Sequence, residues 1–216
     1  MALAVALDVT VGEPPARVHP VVWMGRFISL CQRWAPAEGR RAQLLCGGGV
    51  LLAGVAVAGG GTWVLLWWLA GVSPWLSVAV GGFLLKSSFS LACLARSGRA
   101  VARELERGAI VEARCAVGAL VSRPTVALSE SEVAAAAVES VVENSTDSVV
   151  APLLFFAVLG VPGAVAYRLV NTLDAMIGYR GRYEYLGKAA ARVDDALNYL
   201  PARLGALQLL AAAATA

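Results

Sequence analysis

Val149–Val170 reads VVAPLLFFAVLGVPGAVAYRLV. It is long enough to cross a bilayer, but Gly160-Val161-Pro162-Gly163 cuts it in the middle. A proline between glycines favours a turn over continuous helix. Each arm then holds about 10 residues, roughly 15 Å at 1.5 Å per residue, or half a membrane. The stretch predicts a re-entrant helical hairpin, with a simple crossing as the alternative. The distinction matters because acids and amides flank it on both sides.

Upstream, Glu139–Pro152 reads ESVVENSTDSVVAP. As a helix it sets Glu139, Glu143 and Asp147 at successive i, i+4 positions, with Asn144 at the edge of that face. Two carboxylates 4 Å apart repel by roughly 4 kcal/mol at an effective dielectric of about 20, so partial shielding calls for a cation between them. Downstream, Asn171 with Asp174 and Asp194 with Asn198, Asp195 adjacent, are further acid–amide pairs at helical spacing. Arg180, Arg182, Lys188 and Arg192 lie between those pairs. Oxygen ligands for a hard cation beside Arg and Lys for phosphate are what Mg²⁺–nucleotide chemistry requires. If the hairpin forms, Glu143, Asp147 and Asp174 are the expected Mg²⁺ ligands. For any one cluster alone, a solvated acidic helix with ordinary ion pairs is the plainer reading; three clusters beside an apolar segment favour a site.

Composition sets the environment. Of 216 residues, 58% are hydrophobic and only 15% charged. Between Arg41 and Lys86 lie 44 residues without a charge. One span needs about 20 apolar residues, so this run holds two. The chain reads as an all-α, polytopic integral membrane protein in a single domain, with spans over 43–70 and 74–95. Trp67, Trp68 and Trp75 flank the break between them, where an aromatic belt lies at the interface. The net charge of +3, without a basic stripe and interleaved aromatics, excludes a nucleic-acid partner. Cys31, Cys46, Cys93 and Cys115 show no C-x-x-C spacing, which argues against a zinc site or a disulfide framework.

Toward the N-terminus, Ala2–Val11 is too short to span and is expected as a half-buried anchor ending at Gly12-Glu13-Pro14-Pro15. The next segment, ARVHPVVWMGRFISLCQRW, suits a membrane-surface helix whose arginines snorkel to headgroups. His19 precedes Pro20 and is expected in extended backbone; a structural role is its plainer reading, substrate contact the other. Lys86 falls inside the second apolar run, so it faces either the bundle interior or the interface. The triplets Gly47–Gly49 and Gly59–Gly61 imply close helix contacts.

After the spans, Arg96, Arg99, Arg103 and Arg107 form a basic helix face within a polar loop over 96–148. With Arg17, Arg26, Arg33, Arg40 and Arg41 they make both ends of the two-span hairpin arginine-rich, which places both ends, and the motif loops, in the cytoplasm. Ser129-Glu130-Ser131-Glu132 fits a capping box. Residues 149–170 then re-enter or cross, 171–203 form a polar motif loop, and 204–216 begin a further span.

VVENSTDSVVAP, AYRLVNTLDAMIGY, RYEYLG and AARVDDALNYLPARL, with the opening LDVTVGEPPARVHPVVWMGRFI, resemble the membrane-bound adenosylcobinamide-phosphate synthases of cobalamin biosynthesis, the CobD/CbiB type. The resemblance covers nearly the whole chain and implies that the family's C-terminal part is not in this sequence. It implies a multi-pass protein of the plasma (inner) membrane that forms an amide. ATP drives the joining of aminopropanol phosphate, or a related amino-alcohol, to a propionate of adenosylcobyric acid, with Mg²⁺ as cofactor. Other late cobalamin-pathway enzymes are further expected partners. Carried onto this chain, it implies catalytic roles for Glu139, Glu143, Asn144, Asp147, Asn171, Asp174, Asp194 and Asn198. Substrate and phosphate contacts fall to His19, Tyr179, Arg180, Arg182, Lys188, Arg192, Asp195 and Arg203. Within the last motif, Asp194 and Asn198 are expected to face the site while Arg192 pairs with Asp195. Tyr179, Tyr183 and Tyr185 either supply a platform for the corrin edge or pack at the interface. Two alternatives stand: a membrane prenyltransferase or phosphotransferase acting on a Mg²⁺-diphosphate, and a non-catalytic scaffold for the late corrin enzymes.

Overall fold

The computed structural model describes residues 1–179, 181 and 183–213, and these form helices with no strand among them. In order, the helices are α1 (Ala2–Thr10), α2 (Pro20–Trp34), α3 (Arg40–Val55), α4 (Gly61–Val72), α5 (Pro74–Ser88), α6 (Leu91–Glu106), α7 (Ile110–Gly118), α8 (Glu130–Ser145), α9 (Ala151–Ile177) and α10 (Glu184–Ala213). Single π-helical turns, Ala56–Gly60 and Thr146–Val150, join α3 to α4 and α8 to α9. Three stretches are long and apolar enough to cross a membrane: Arg40–Val72, Pro74–Glu106 and Glu130–Ile177. Trp63, Trp67, Trp68 and Trp75 point outward from the first two, as lipid-facing and interfacial aromatics do.

Two of these stretches are broken. The helix expected over 74–95 stops at Ser88, Phe89 is extended, Ser90 is non-helical, and α6 starts afresh at Leu91. Its restart is capped from a distance, because the Ala92 N–H donates to Asp8 Oδ2 at 2.7 Å. The third stretch breaks at Gly160, whose φ of 68° and ψ of −163° lie where only glycine sits without strain. The chain doubles back there. Phe155 and Tyr167 stack with ring centroids 5.0 Å apart, whereas a straight helix would part residues 12 positions apart by about 18 Å.

The packing explains which glycines matter. A Cβ on Gly47 would collide with the Leu186 carbonyl, so α3 and the start of α10 meet backbone to backbone. Gly59 likewise abuts Ala166, but the later members of both triplets face open space. Around these contacts Ile28, Leu51, Leu169, Leu173, Ile177 and Leu186 form the main core, drawn from α2, α3, α9 and α10. Ala4, Leu85, Phe89 and Ala164 join α1 to the α5 end and to the returning arm of α9. A separate layer of α6, α7 and α8 packs around Val101, Ala113, Val117, Val133 and Ala136. There the capping box forms as expected, with Ser129 Oγ accepting from the Glu132 N–H and the Glu132 carboxylate accepting from the Ser129 N–H.

Candidate active site

The breaks in α5–α6 and α8–α9 lie side by side, since the Ser90 N–H donates to the Ser148 carbonyl at 3.0 Å. Two charged groups meet across that seam. The first is built by the N-terminus. Lys86, about 1% exposed at the end of α5, is held inside the bundle: its Nζ lies 3.0 Å from Asp8 Oδ1 and 2.9 Å from Glu13 Oε1. Of the two sequence readings of Lys86, the interior one is therefore correct. Glu13 also accepts from Ser90 Oγ at 2.7 Å and faces His19 Nε2 at 3.0 Å. Burial alone would raise the Glu13 pKa, but the hydrogen bonds from Ser90, Lys86 and His19, helped by the Lys86 charge, win and hold it at about 2. His19 sits in extended backbone as expected and caps α2, its Nδ1 accepting from the Val21 N–H at 3.2 Å.

The second group centres on the returning arm of α9 and on α10. Tyr167 donates to Asn198 Oδ1 at 2.8 Å, and Asn198 donates to Asp194 Oδ2 at 2.9 Å. Asn171 lies beside both Asp147 and Asp194, and Arg168 Nη1 donates to Asn171 Oδ1 at 3.4 Å. Asp147 and Asn171 are 24 positions apart in sequence and meet only because the chain folds back at Gly160. Asp194 is buried, and its Oδ1 has no hydrogen-bond partner among the described residues. Burial, with Asp147 and Asp174 nearby, pushes its carboxyl up to about 6 against the pull of the Asn198 hydrogen bond and the neighbouring Asn171 amide. Arg168 completes the join, lying within electrostatic reach of Glu13 on one side and Asp147 on the other.

The structure thus gathers Asp147, Asn171, Asp194 and Asn198, with Asp174 at their edge. Glu143 stays exposed beside Asp147, and Asn144 is turned back onto the Ser140 carbonyl at 2.8 Å. Glu139 is not brought in. It projects to solvent, 3.5 Å from Arg123, because α8 buries the stripe Val133, Ala136, Ala137 and Ser140 instead. Asp195, Arg192, Arg203 and Tyr179 are exposed, and Arg192 forms no ion pair with Asp195 among the described residues. Arg203 lies over the Tyr199 ring, Lys188 pairs with Glu184 at 3.6 Å, and Arg40 covers Tyr185. Arg180 and Arg182 lie outside the described residues.

Sequence reasoning missed Asp8, Glu13, Ser90, Tyr167 and Arg168. Each of the charged ones carried a signal, an ionisable residue within or beside an apolar run, but their partners lie far away in sequence. Among the described residues no three acid, His or Cys side chains stand close enough to hold an ion without further ligands. That geometry still suits Mg²⁺, which is usually bound by one or two carboxylates together with substrate phosphates. The orphaned Asp194 oxygen, buried among other carboxylates, is the feature that most calls for a cation.

Fold and site define a polytopic helical membrane protein with a cluster of polar and charged side chains, the chamber below, at the breaks of its helices. The family model described as CobD/Cbib protein matches residues 1–216. Cobalamin biosynthesis protein CobD of Dehalococcoides mccartyi (strain CBDB1) is 44% identical over 210 residues, covering 97% of this chain and 68% of that protein. A probable cobalamin biosynthesis protein CobD of Thermococcus kodakarensis is 43% identical over 215 residues, 96% of this chain and 68% of its own length. Cobalamin biosynthesis protein CbiB of Salmonella choleraesuis is 37% identical over 216 residues, 96% of this chain and 66% of its own. The chain belongs to the CobD/CbiB family of cobalamin biosynthesis proteins. It spans about two thirds of the length of these relatives. No solved structure matches it.

Proposed function

We propose that this chain carries the nucleotide-and-acid half of an ATP-dependent amide synthase. That enzyme joins aminopropanol phosphate, or a related amino-alcohol, to a propionate of adenosylcobyric acid and yields adenosylcobinamide phosphate. The observation that carries the reading is the gathering of Asp147, Asn171, Asp194 and Asn198 from three separated motifs into one acid–amide cluster around the buried Asp194. A carboxylate is a poor acyl donor. Transfer of the ATP γ-phosphoryl to a propionate oxygen releases ADP and gives an acyl phosphate; attack by the neutral amine then expels phosphate and forms the amide, with loss of a proton. Mg²⁺ held by Asp194 and Asp147 would neutralise charge developing on the phosphates. Asn171 and Asn198 orient those carboxylates, and Tyr167 locks Asn198. The arginine distribution supports a plasma-membrane protein whose motif loops face the cytoplasm, with 149–170 dipping in and returning.

The test is product formation by the purified chain in lipid nanodiscs, with ATP, Mg²⁺, adenosylcobyric acid and aminopropanol phosphate, read by mass spectrometry. Adenosylcobinamide phosphate appearing with stoichiometric ADP supports the reading. ATP left intact, or a prenyl diphosphate consumed in its place, overturns it; a scaffold turns over neither.

A further inference from the structure

Arg168 takes no part in the chemistry proposed above, and it is unusual. It sits on the returning arm of α9, inside a stretch apolar enough to cross a membrane. Its Nε is buried and has no hydrogen-bond partner among the described residues, and its Nη1 makes only a long 3.4 Å bond to Asn171. A buried charged donor left unpaired is among the more costly features a fold can carry. Acids are close by, with Glu13 on one side and Asp147 on the other, yet neither forms an ion pair with it at 4.0 Å or less. Lys86, the other buried cation, is fully engaged by Asp8 and Glu13. The guanidinium is thus the only cation of the chamber, among the described residues, with a donor edge unused.

An unused guanidinium edge fits a planar or tetrahedral oxyanion, which it can grip through two parallel N–H donors. Across Asn171 from it lies the reverse feature, the orphaned acceptor Asp194 Oδ1. One orphan donor and one orphan acceptor, joined by a single asparagine, complement a ligand that is anionic at one end and cationic, or metal-bound, at the other. We infer that Arg168 is the phosphate-binding residue of this site, gripping a phosphate oxyanion through its Nε edge while Asp194 faces the positive part of the same ligand. This deepens the proposed function and rests on it. Two ligands of that reaction carry such a phosphate: the Mg²⁺-bound nucleotide and the amino-alcohol phosphate.

The experiment separates them. Binding of Mg²⁺–AMP-PNP, of aminopropanol phosphate and of unphosphorylated aminopropanol is measured by calorimetry on the wild-type chain and on R168K in nanodiscs. Lysine keeps the charge and removes the Nε edge, so one phosphate ligand should bind R168K about tenfold more weakly. Aminopropanol should be unaffected, and the ligand that weakens names the phosphate Arg168 holds. Wild-type affinity of R168K for both phosphate ligands overturns the assignment, as does an equal loss for aminopropanol. A wild-type chain that binds neither phosphate ligand overturns the functional reading itself. Should R168K fail to fold, the wild-type chain answers alone. Saturating phosphate ligand should shield Arg168 from phenylglyoxal while Arg99 and Arg103 stay reactive, and unshielded Arg168 sinks the proposal.

Discussion

The layer of α6, α7 and α8 and the chamber at the helix breaks are built from the same chain by opposite means. In the layer, alanines and valines fill the interior, a capping box closes the helix start, and the ion pairs lie outside: Arg123–Glu139 is 57% and 72% exposed. In the chamber the interior itself is charged, with Asp8, Lys86 and Asp194 all buried. An exposed ion pair contributes about 0–1 kcal/mol, whereas a buried pair that loses one partner costs about 3–5 kcal/mol. The difference teaches where this molecule has slack: its layer is held together by shape, its chamber by balance of charge.

Five substitutions probe that contrast. The largest effect is expected from Lys86→Met, which strands Asp8 in the interior and should cost about 3–5 kcal/mol in denaturant unfolding in micelles. Adding Asp8→Leu should recover much of that loss, while Arg123→Met should cost under about 1 kcal/mol. Equal costs for Lys86→Met and Arg123→Met would erase the distinction. Next comes catalysis. Asp194→Asn should lower ATP-dependent amide formation by about a hundredfold to a thousandfold with membrane insertion intact, and Glu139→Gln on the layer's outer face should leave it within about twofold. A severe loss in Glu139→Gln would return that residue to the site.

The smallest expected effect concerns pH. With its folded pKa near 2, Glu13 binds a proton more weakly than an unfolded carboxylate, so its share of stability is fully present above the unfolded value. That share is lost as pH falls from about 4.3 through about 2. Thermal unfolding of the wild-type chain should therefore weaken between pH 5 and about 2.5 more steeply than that of Glu13→Gln. Parallel curves would mean that the Lys86, Ser90 and His19 contacts do not govern Glu13.

Much of the frame was legible because membrane helices write their pattern locally. The uncharged run after Arg41, the capping box at Ser129 and the Gly-Val-Pro-Gly interruption each depend on neighbours within a few positions. Asp194 with Asn198 was legible for the same reason, since i, i+4 residues share a helix face whatever lies opposite. The rest was not local. Asp8 and Lys86 are 78 positions apart, and nothing near either residue announces the other. Helical spacing also misled. It aligned Glu139 with Asp147, but the buried stripe of α8 runs along a different face, and the π-turn at Thr146–Val150 shifts the register just where Asp147 stands. Arg168 went unremarked at the end of an apolar run read for its Gly-Val-Pro-Gly break, because its neighbours Asp147 and Glu13 lie far off in sequence.

The fold-back at Gly160 also sets an order in time. Asp147 leaves the peptidyl-transferase centre 47 residues ahead of Asp194, a delay of roughly 2–10 s at 5–20 residues per second. Through that interval the leading arm from Ala151 to Leu159 is apolar yet too short to be held as a span, and Asp147 just ahead of it has no Asn171 beside it. The surfaces it packs against in the finished fold, Ala4 of α1 and Leu85 of α5, are by then already made. The N-terminal network is thus synthesised whole before the cluster it borders, since Asp8, Glu13, Lys86 and Ser90 all precede Asp147 in the chain.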